Sequence, residues 1–196
     1  MSDRYDLPRY PKDSEDVAMM IKLERAKNKE YLDYIQEHLH NIATAVDMFK
    51  NNKTCCNIVK RSLSDSDNIL DYYLELIKTT HDQSKFNSEE FFPYRKKYFP
   101  ISDEEKEQVE KSGEYDKAEK HHYLNNQHHW NYWVLNNSVN QMTPLAVMEM
   151  VIDWIAMSIK FNSTAKSWYE SKRDEITLGE KQRKLVEDLL DAFYPE

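Results

Sequence analysis

A histidine and an aspartate stand side by side in the middle of this chain, at His81 and Asp82. A neutral imidazole and a carboxylate can bind the same divalent cation if the backbone turns sharply between them. Further histidines and one aspartate occur before and after this pair, in the order H…HD…H…H…D. This inventory suits one metal ion, or two ions that share a carboxylate. The predicted ligands are His38, His81, Asp82, His122, His129 and Asp153.

Asp153 lies in an otherwise apolar run at residues 150–157. Burying an unpaired carboxylate costs several kcal/mol, so we expect a cation to contact it. A metal ion would serve, and so would Lys85 or an arginine. We favour the metal because several histidines of the chain have no other explanation.

Four further histidines form two adjacent pairs, His121-His122 and His128-His129. If both pairs lie on helices, each contributes one inward-facing and one outward-facing imidazole, and spacing alone does not decide which. We select His122 and His129 as ligands and keep His121 and His128 as the less favoured choice. The alternative is a histidine-rich surface beside a core of aromatic residues.

Four residues near these ligands are candidates for binding substrate or supporting the ligands. Lys85 could neutralise a phosphate oxygen beside the metal, or it could pair with Asp82 or with the end of the preceding helix. We assign catalysis to Asp82 and Lys85. Glu149 precedes Asp153 by one helical turn and lies on roughly the same face. The four residues are Lys85, Asn41, Asn126 and Glu149.

The composition indicates one helical domain. The chain has 196 residues but only two glycines and six prolines, too few for a turn-rich sandwich or barrel. A net charge of −8, without a Lys/Arg stripe, argues against general nucleic-acid binding. The adjacent Cys55 and Cys56 predict reduced thiols in a cytoplasmic protein, and no apolar run reaches the roughly 18 residues of a membrane span.

Hydrophobic spacing predicts helices throughout, and therefore an all-α fold with a single domain. We expect residues 1–12 to form an extended N-terminal arm and residues 13–196 to form the helical domain. Start signals at Ser102, Thr143 and Thr177 support three helices. The expected helices cover about 14–50, 66–80, 88–98, 102–111, 115–125, 128–138, 144–161, 163 onwards and 177–193, with a polar connection at 51–65.

Two segments have open roles at this stage. The charged residues 102–117 predict either a solvated helix or a lid over the site. The aromatic residues between 91 and 99 could belong to a lid, to the core or to a dimer surface, which leaves a homo-oligomer open.

The ligand pattern resembles the HD-domain superfamily of metal-dependent phosphohydrolases, which are all-helical. An early histidine, the His-Asp pair and a late aspartate match that superfamily's first metal shell at His38, His81, Asp82 and Asp153. The additional histidines resemble its bimetallic branch, in which Asp82 would bridge two ions. The spacing from Asp82 to Lys85 is similar to the HD-x-x-K form, although many relatives have glycine where this chain has Ser84.

The wider sequence looks closer still to an uncharacterised family of small phage and bacterial proteins, for which no substrate can be carried over. That resemblance spans roughly residues 30–190. It rests on Tyr34-Ile35-x-x-His38-x-x-Asn41, His81-Asp82-x-Ser84-Lys85-Phe86, His121-His122, Asn126-x-His128-His129-Trp130-x-Tyr132-Trp133 and Glu149-Met150-x-x-Asp153-Trp154.

The expected function is hydrolysis of a nucleotide or other small phosphoester by one or two divalent ions. Mixed imidazole and carboxylate ligands suit Mn, Fe, Co, Ni or Zn, with Mg also considered. Two alternatives stay open. The same ligands could hold a di-iron pair for oxygenase chemistry, or the metal could be structural in a non-enzymatic, phage-like binding protein.

Overall fold

The computed structural model describes residues 14–63 and 69–195, and helices make up most of both ranges. No strand occurs among these residues, which confirms the all-α, single-domain fold. The expected arm at residues 1–12 lies outside the described residues. The α-helices are α1 Ser14–Asn51, α2 Lys53–Leu63, α3 Ile69–Thr80, α4 Ser88–Tyr98, α5 Asp103–Lys111, α6 Glu114–Asn125, α7 Trp130–Leu135, α8 Pro144–Phe161, α9 Ala165–Lys172 and α10 Glu180–Phe193, with 3₁₀ helices at Gln83–Phe86 and Val139–Gln141.

The core is built around α8, which packs against α1, α2, α3, α9 and α10. This helix is apolar on most of its circumference, and a helix of that kind is stable only when other helices surround it. Buried aliphatic and aromatic side chains from these helices fill the space between them, among them Ile42, Phe49, Leu74, Ile152 and Leu189. Because α8 also carries Glu149 and Asp153, the core itself fixes two polar groups of the site.

A second group of helices, α4, α5 and α6, packs on the other side of the site. The buried Arg95 of α4 donates two hydrogen bonds to Glu105 of α5, at 2.6 and 2.9 Å. Val109 is the buried residue of α5, so the rest of this helix faces solvent or is only partly covered. The charged segment is therefore a solvated helix fastened to α4, as one of the two interpretations predicted.

Two of the three predicted start signals are confirmed. The side chains of Ser102 and Thr143 accept hydrogen bonds from backbone amides three residues later. The start at Thr177 is wrong, because α10 begins at Glu180 after Gly179. A Cβ on Gly179 would lie 2.4 Å from Oδ1 of Asn140, so the chain before α10 is held in a close approach to another segment.

The polar connection predicted at residues 51–65 is also wrong, because α2 occupies most of it. Cys55 and Val59, one helical turn apart, face the core and are fully buried, while most other side chains of α2 are polar. So narrow an apolar stripe is easily mistaken for a loop. Neither Cys55 nor Cys56 forms a disulfide, and burial raises the pKa of Cys55 to about 12.

The remaining differences concern helix ends. The predicted start of the second helix at residue 66 or 67 lies outside the described residues. Residues 14–26 of α1 are exposed throughout, and the helix first enters the core near Tyr31. None of the helices in the two described ranges combines the length and the apolar character that a membrane crossing requires.

Candidate metal centre

The His-Asp pair lies at a sharp turn that follows α3. The amide of His81 still donates to the carbonyl of Ile77, one helical turn earlier, whereas Asp82 has φ 55° and ψ 22° in the left-handed region. A non-glycine residue there costs roughly 1–2 kcal/mol. The surrounding structure must hold this conformation, as is common at functional sites. Both side chains are almost completely buried, with 2% and 1% exposure.

One set of ligand atoms meets at a point between α1, α3 and α8, which we call the first position. Nε2 of His38 lies 3.4 Å from Nε2 of His81, 3.5 Å from Oδ2 of Asp82 and 3.4 Å from Oδ1 of Asp153. Nε2 of His81 lies 3.5 Å from the same Asp82 oxygen and 3.7 Å from the same Asp153 oxygen. Four predicted ligands are therefore together here.

A second set of atoms meets on the other side of Asp82, at what we call the second position. Oδ1 of Asp82 lies 3.5 Å from Nε2 of His122 and 3.4 Å from Nε2 of His128. Nε2 of His129 lies 2.8 Å from Nε2 of His122. The two oxygens of Asp82 thus face different groups of imidazoles, which is the arrangement of a carboxylate that can bridge two ions.

Glu149 determines which nitrogens of two histidines point inwards. Its Oε1 lies 3.1 Å from Nδ1 of His81 and 3.4 Å from Nδ1 of His128, while Tyr73 donates to its Oε2 at 2.8 Å. A neutral histidine that donates its Nδ1 proton to a carboxylate presents an unprotonated Nε2 on the other side of the ring, and a bound metal ion takes the place of a second proton there. Such carboxylate–histidine pairs are the usual support of metal ligands.

Glu90 of α4 has the same role at the second position. It is fully buried, and its Oε2 lies 2.8 Å from Nδ1 of His122 and accepts a hydrogen bond from Ser84 at 3.0 Å. Its Oε1 lies 2.7 Å from Nδ1 of His121. His122 therefore presents Nε2 to the centre, where this nitrogen accepts a hydrogen bond from Nε2 of His129. A metal ion bound by both nitrogens would have to displace the proton of that hydrogen bond.

Three atoms facing this centre are buried and have no hydrogen-bond partner in the described part of the chain: Oδ1 of Asp82, Nε2 of His128 and Oδ1 of Asp153. When His128 is neutral and carries its proton on Nδ1, all three atoms are acceptors and cannot satisfy one another. Two ligands bound about 2.1 Å from one ion at ordinary angles lie about 3.0–3.6 Å apart. Most of the observed separations at the two positions, 3.4–3.7 Å, are in or next to that range.

The charges at the centre also call for a cation. Four carboxylates, those of Asp82, Glu90, Glu149 and Asp153, each lie next to an imidazole of the centre. Lys85 contacts one of them, Asp82, at 2.6 Å. Burial disfavours the charged form of both aspartates, but the surrounding lysine and histidines more than compensate and lower both pKa values. The aspartates are therefore anionic ligands.

The imidazoles respond to this field in different ways. Burial by itself would lower the pKa of His81, but Asp82, Asp153 and Glu149 outweigh it and raise that pKa to about 10. Burial and the two neighbouring imidazoles of His128 and His122 instead hold the pKa of His129 well below its ordinary value. Burial and His81 oppose the charge of His128, but Asp82 and Glu149 outweigh them and raise its pKa as well. The carboxylates of the centre thus attract positive charge to His81 and His128, whereas His129 stays neutral, the metal-binding form.

Residues 83–86 and 126 connect the two halves of the site. Nζ of Lys85 donates to Oδ2 of Asp82, and burial, although it opposes the charge, is outweighed by Asp82, so the lysine pKa rises above its usual value. Asn126 donates to Ser84 at 2.7 Å and to the carbonyl of His122 at 2.8 Å. Asn41 is buried on the face of α1 that carries His38.

The structure differs from the sequence expectation at the second histidine pair. The expected helix at 128–138 begins only at Trp130, so His128 and His129 lie in the turn before it. An indole hydrogen bond of 2.8 Å from Trp133 to the carbonyl of Gln127 closes this turn. Both imidazoles can therefore face the centre, and His128, the less favoured choice, belongs to the cluster.

His121 lies outside the cluster, beside Glu90, and is partly exposed. Sequence reasoning missed Glu90 altogether, because it is a glutamate in a charged segment and the turn that brings it to His122 is not local. Glu90 lies opposite His122 because α4 packs against α6, and the sequence alone does not indicate this contact.

Neither a curated protein nor a solved structure matches this chain significantly. One family model does match, over residues 27–192, a range that contains both positions of the metal centre and Lys85. Because this match spans most of the chain, the protein belongs to DUF5662, a family of unknown function.

Proposed function

We propose that this protein is a metal-dependent phosphohydrolase of the HD-domain type, acting on a nucleotide or other small phosphoester. The observation that carries the proposal is the environment of Asp82. Its two oxygens face separate groups of imidazole Nε2 atoms at 3.4–3.5 Å, and Lys85 donates to one of them. This is the arrangement expected of a carboxylate that bridges two metal ions next to a cationic substrate-binding group.

The ligand set also favours catalysis over a purely structural role. A structural zinc site is closed by four protein ligands, whereas a catalytic site leaves at least one position for water or substrate. With Asp82 shared, six further side chains serve the centre: His38, His81 and Asp153 meet at the first position, His122 and His129 meet at the second, and His128 lies within reach of ligand atoms at both. Mn²⁺, Fe²⁺ and Co²⁺ commonly take more ligands than this, so water positions would remain.

Bound divalent ions would supply a water of lowered pKa and would polarise the phosphoryl oxygen. The residues of the chain then have separate tasks. Asp82, Asp153 and the imidazoles hold the ions, and Glu90 and Glu149 fix the orientation of the imidazoles. Lys85 is close enough to the centre to stabilise negative charge that develops on the transferring phosphoryl group.

The test is metal analysis of the protein purified without chelator, with wild type and Asp82→Asn in parallel. Asparagine keeps the shape of the side chain and tolerates the left-handed backbone, so this variant isolates the loss of charge. We expect about one to two equivalents of Mn, Fe, Co, Ni or Zn in the wild type and a large loss in the variant. A screen for phosphate release over nucleotides and small phosphoesters follows with the loaded protein.

A matched pair on α1 provides the control. His38 faces the centre, whereas His40 on the same helix is exposed. His38→Ala should lose metal and His40→Ala should retain it. Wild-type protein that is metal-free and takes up neither Mn²⁺ nor Fe²⁺ would refute the proposal. Iron-loaded protein that consumes oxygen but releases no phosphate would instead support the oxygenase alternative.

A substitution of Lys85 tests catalytic turnover separately from metal binding. Lys85→Met should leave the metal content close to that of wild type and reduce the rate of phosphate release by about 10²–10³-fold, the usual effect of removing one group that stabilises a developing charge. A variant that releases phosphate at the wild-type rate would remove Lys85 from the mechanism.

A further inference from the structure

A cavity of about 410 Å³ adjoins the metal centre and shares Lys85 with it. The volume falls in the range of small-molecule sites, about 300–1,000 Å³. Apart from this lysine, the lining is aromatic. The residues that line it are Tyr31, Tyr34, Lys85, Tyr94, Tyr98 and Phe99.

Tyr31 lines this cavity and has a buried hydroxyl group without a hydrogen-bond partner within residues 14–63 and 69–195. The residue is only 2% exposed, and its hydroxyl has no hydrogen-bond partner among the described residues. Its ring is held by Phe91, with centroids 5.1 Å apart, and by Phe99, at 5.8 Å. Buried hydroxyl groups normally have partners, because leaving one without a partner is costly. The exception points to an acceptor supplied by a ligand.

Burial keeps this hydroxyl protonated, so it is a donor. Burial raises its pKa above the ordinary value, and the Lys85 ammonium is near enough to oppose part of that rise. The proton therefore stays on the oxygen at physiological pH. A hydroxyl donor and an ammonium donor next to each other suit the oxygens of one phosphoryl group.

The remaining walls suit a planar ring. The rings of Tyr34 and Phe99 lie 5.7 Å apart, and those of Tyr94 and Tyr98 lie 6.1 Å apart and are nearly parallel. Tyr98 is 55% exposed and so forms the rim of the cavity. Aromatic side chains bind nucleobases and other flat rings by stacking, with little dependence on the exact ring. The single ammonium in the lining matches one phosphoryl group better than a polyphosphate.

We propose that this cavity binds the organic part of a phosphomonoester that carries a planar ring, and that the Tyr31 hydroxyl and Lys85 together bind its phosphoryl oxygens. This inference rests on the proposed function, because it assigns the substrate class of the same centre. A nucleoside monophosphate and an aryl phosphate both have the required chemistry. The experiment below distinguishes them.

The test is calorimetric binding of phosphonate analogues, in which carbon replaces the bridging ester oxygen so that the protein cannot cleave them. The Mn²⁺-loaded protein is titrated with the analogues of adenosine 5′-monophosphate, of phenyl phosphate and of ribose 5-phosphate. We expect at least one ring-bearing analogue to bind about tenfold or more tightly than the ribose compound, as stacking on aromatic side chains predicts. The tighter of the two identifies the source of the ring.

Two variants and one control test the individual contacts. Tyr98→Ala should remove most of this preference for a ring. The side chain is 55% exposed, so its removal costs little buried apolar area. Tyr31→Phe keeps the ring and should weaken all three analogues by about 10–150-fold through the loss of one hydrogen bond to a charged group. Tyr72→Ala, at a tyrosine that is 68% exposed on α3, should change neither quantity.

The outcomes separate the two proposals. Equal affinity for all three analogues, or a Tyr31→Phe variant that binds like wild type, would overturn the inference. Turnover of the esters without any preference for a ring would overturn it as well, while the phosphohydrolase assignment would stand. A clear ring preference with no phosphate release from any ester would support the cavity assignment and refute phosphohydrolysis.

Discussion

Removing the charge of Glu90 or of Glu149 should affect the two metal positions differently. Glu90 contacts His122 at 2.8 Å, a ligand of the second position only. Glu149 contacts His81 at 3.1 Å and His128 at 3.4 Å, one ligand from each position. Glu90→Gln should therefore weaken the second ion alone, whereas Glu149→Gln should weaken both.

The expected size follows from these contacts. Replacing a carboxylate that supports a ligating histidine typically lowers metal affinity about 10–100-fold, or roughly 1.4–2.7 kcal/mol. Glutamine retains one acceptor oxygen, so a loss near tenfold is expected where a single short bond is involved, as at His122. The two bonds of Glu149 are longer, and its effect should be divided between the two ions.

The assay is a calorimetric titration of chelator-stripped protein with Mn²⁺, fitted to two sites, for wild type and both variants. Circular dichroism of the stripped proteins checks that the helices are retained. Glu107→Gln is the matched control, since Glu107 is an exposed carboxylate on α5 whose pair with Lys111 lies at the surface. It should leave both dissociation constants unchanged.

One result would refute the reasoning directly. If Glu90→Gln lowered the affinity of both ions equally, Asp82 would not separate two positions, and the cluster would be a single site. If neither variant changed any affinity, the carboxylates would not orient the ligands at all.

Four other outcomes follow from the structure. Folding raises the pKa of His81 from 6.5 to about 10. The stabilisation that this histidine gives is therefore complete below pH 6.5 and declines towards pH 10, and the melting temperature of metal-free protein in chelator should show this decline. Mn²⁺ should reverse the trend, because protons compete with the metal for the ligands. Glu105→Gln breaks the buried pair with Arg95 and should cost about 3–5 kcal/mol in urea unfolding. Leu74→Ala should cost about 2–5 kcal/mol by the same assay. Thr143→Ala removes the cap of α8 and should cost about 1 kcal/mol.

Patterns within a few consecutive residues were sufficient to predict much of the fold. The apolar spacing of α8 and the caps at Ser102 and Thr143 are properties of a few consecutive residues, so they could be recognised without the tertiary structure. The prediction of a connection at residues 51–65 was wrong because α2 has only two buried residues, Cys55 and Val59, and two apolar positions do not reveal a helix in the sequence. Their contribution becomes visible when α8 and α10 pack against that face.

For the site as well, some features could be predicted from the sequence and others depended on the tertiary structure. The sequence by itself determined the types of ligand, since His38, the His81-Asp82 pair and Asp153 supply the imidazoles and carboxylates that a divalent ion prefers. It also placed the pair at the end of a helix, whereas the sharp turn between the two residues was a condition for metal binding that the structure then showed. These features depend on residue identity and on the local backbone.

Only the tertiary structure decided which histidines face the centre and what orients them. His128 and His129 both point inwards because they precede α7 in a turn, where the helical rule of one inward and one outward side chain does not apply. Glu90 reaches His122 across 32 residues of sequence, through the packing of α4 on α6. Contacts of that kind depend on how helices pack together, and no local pattern of residue types specifies them.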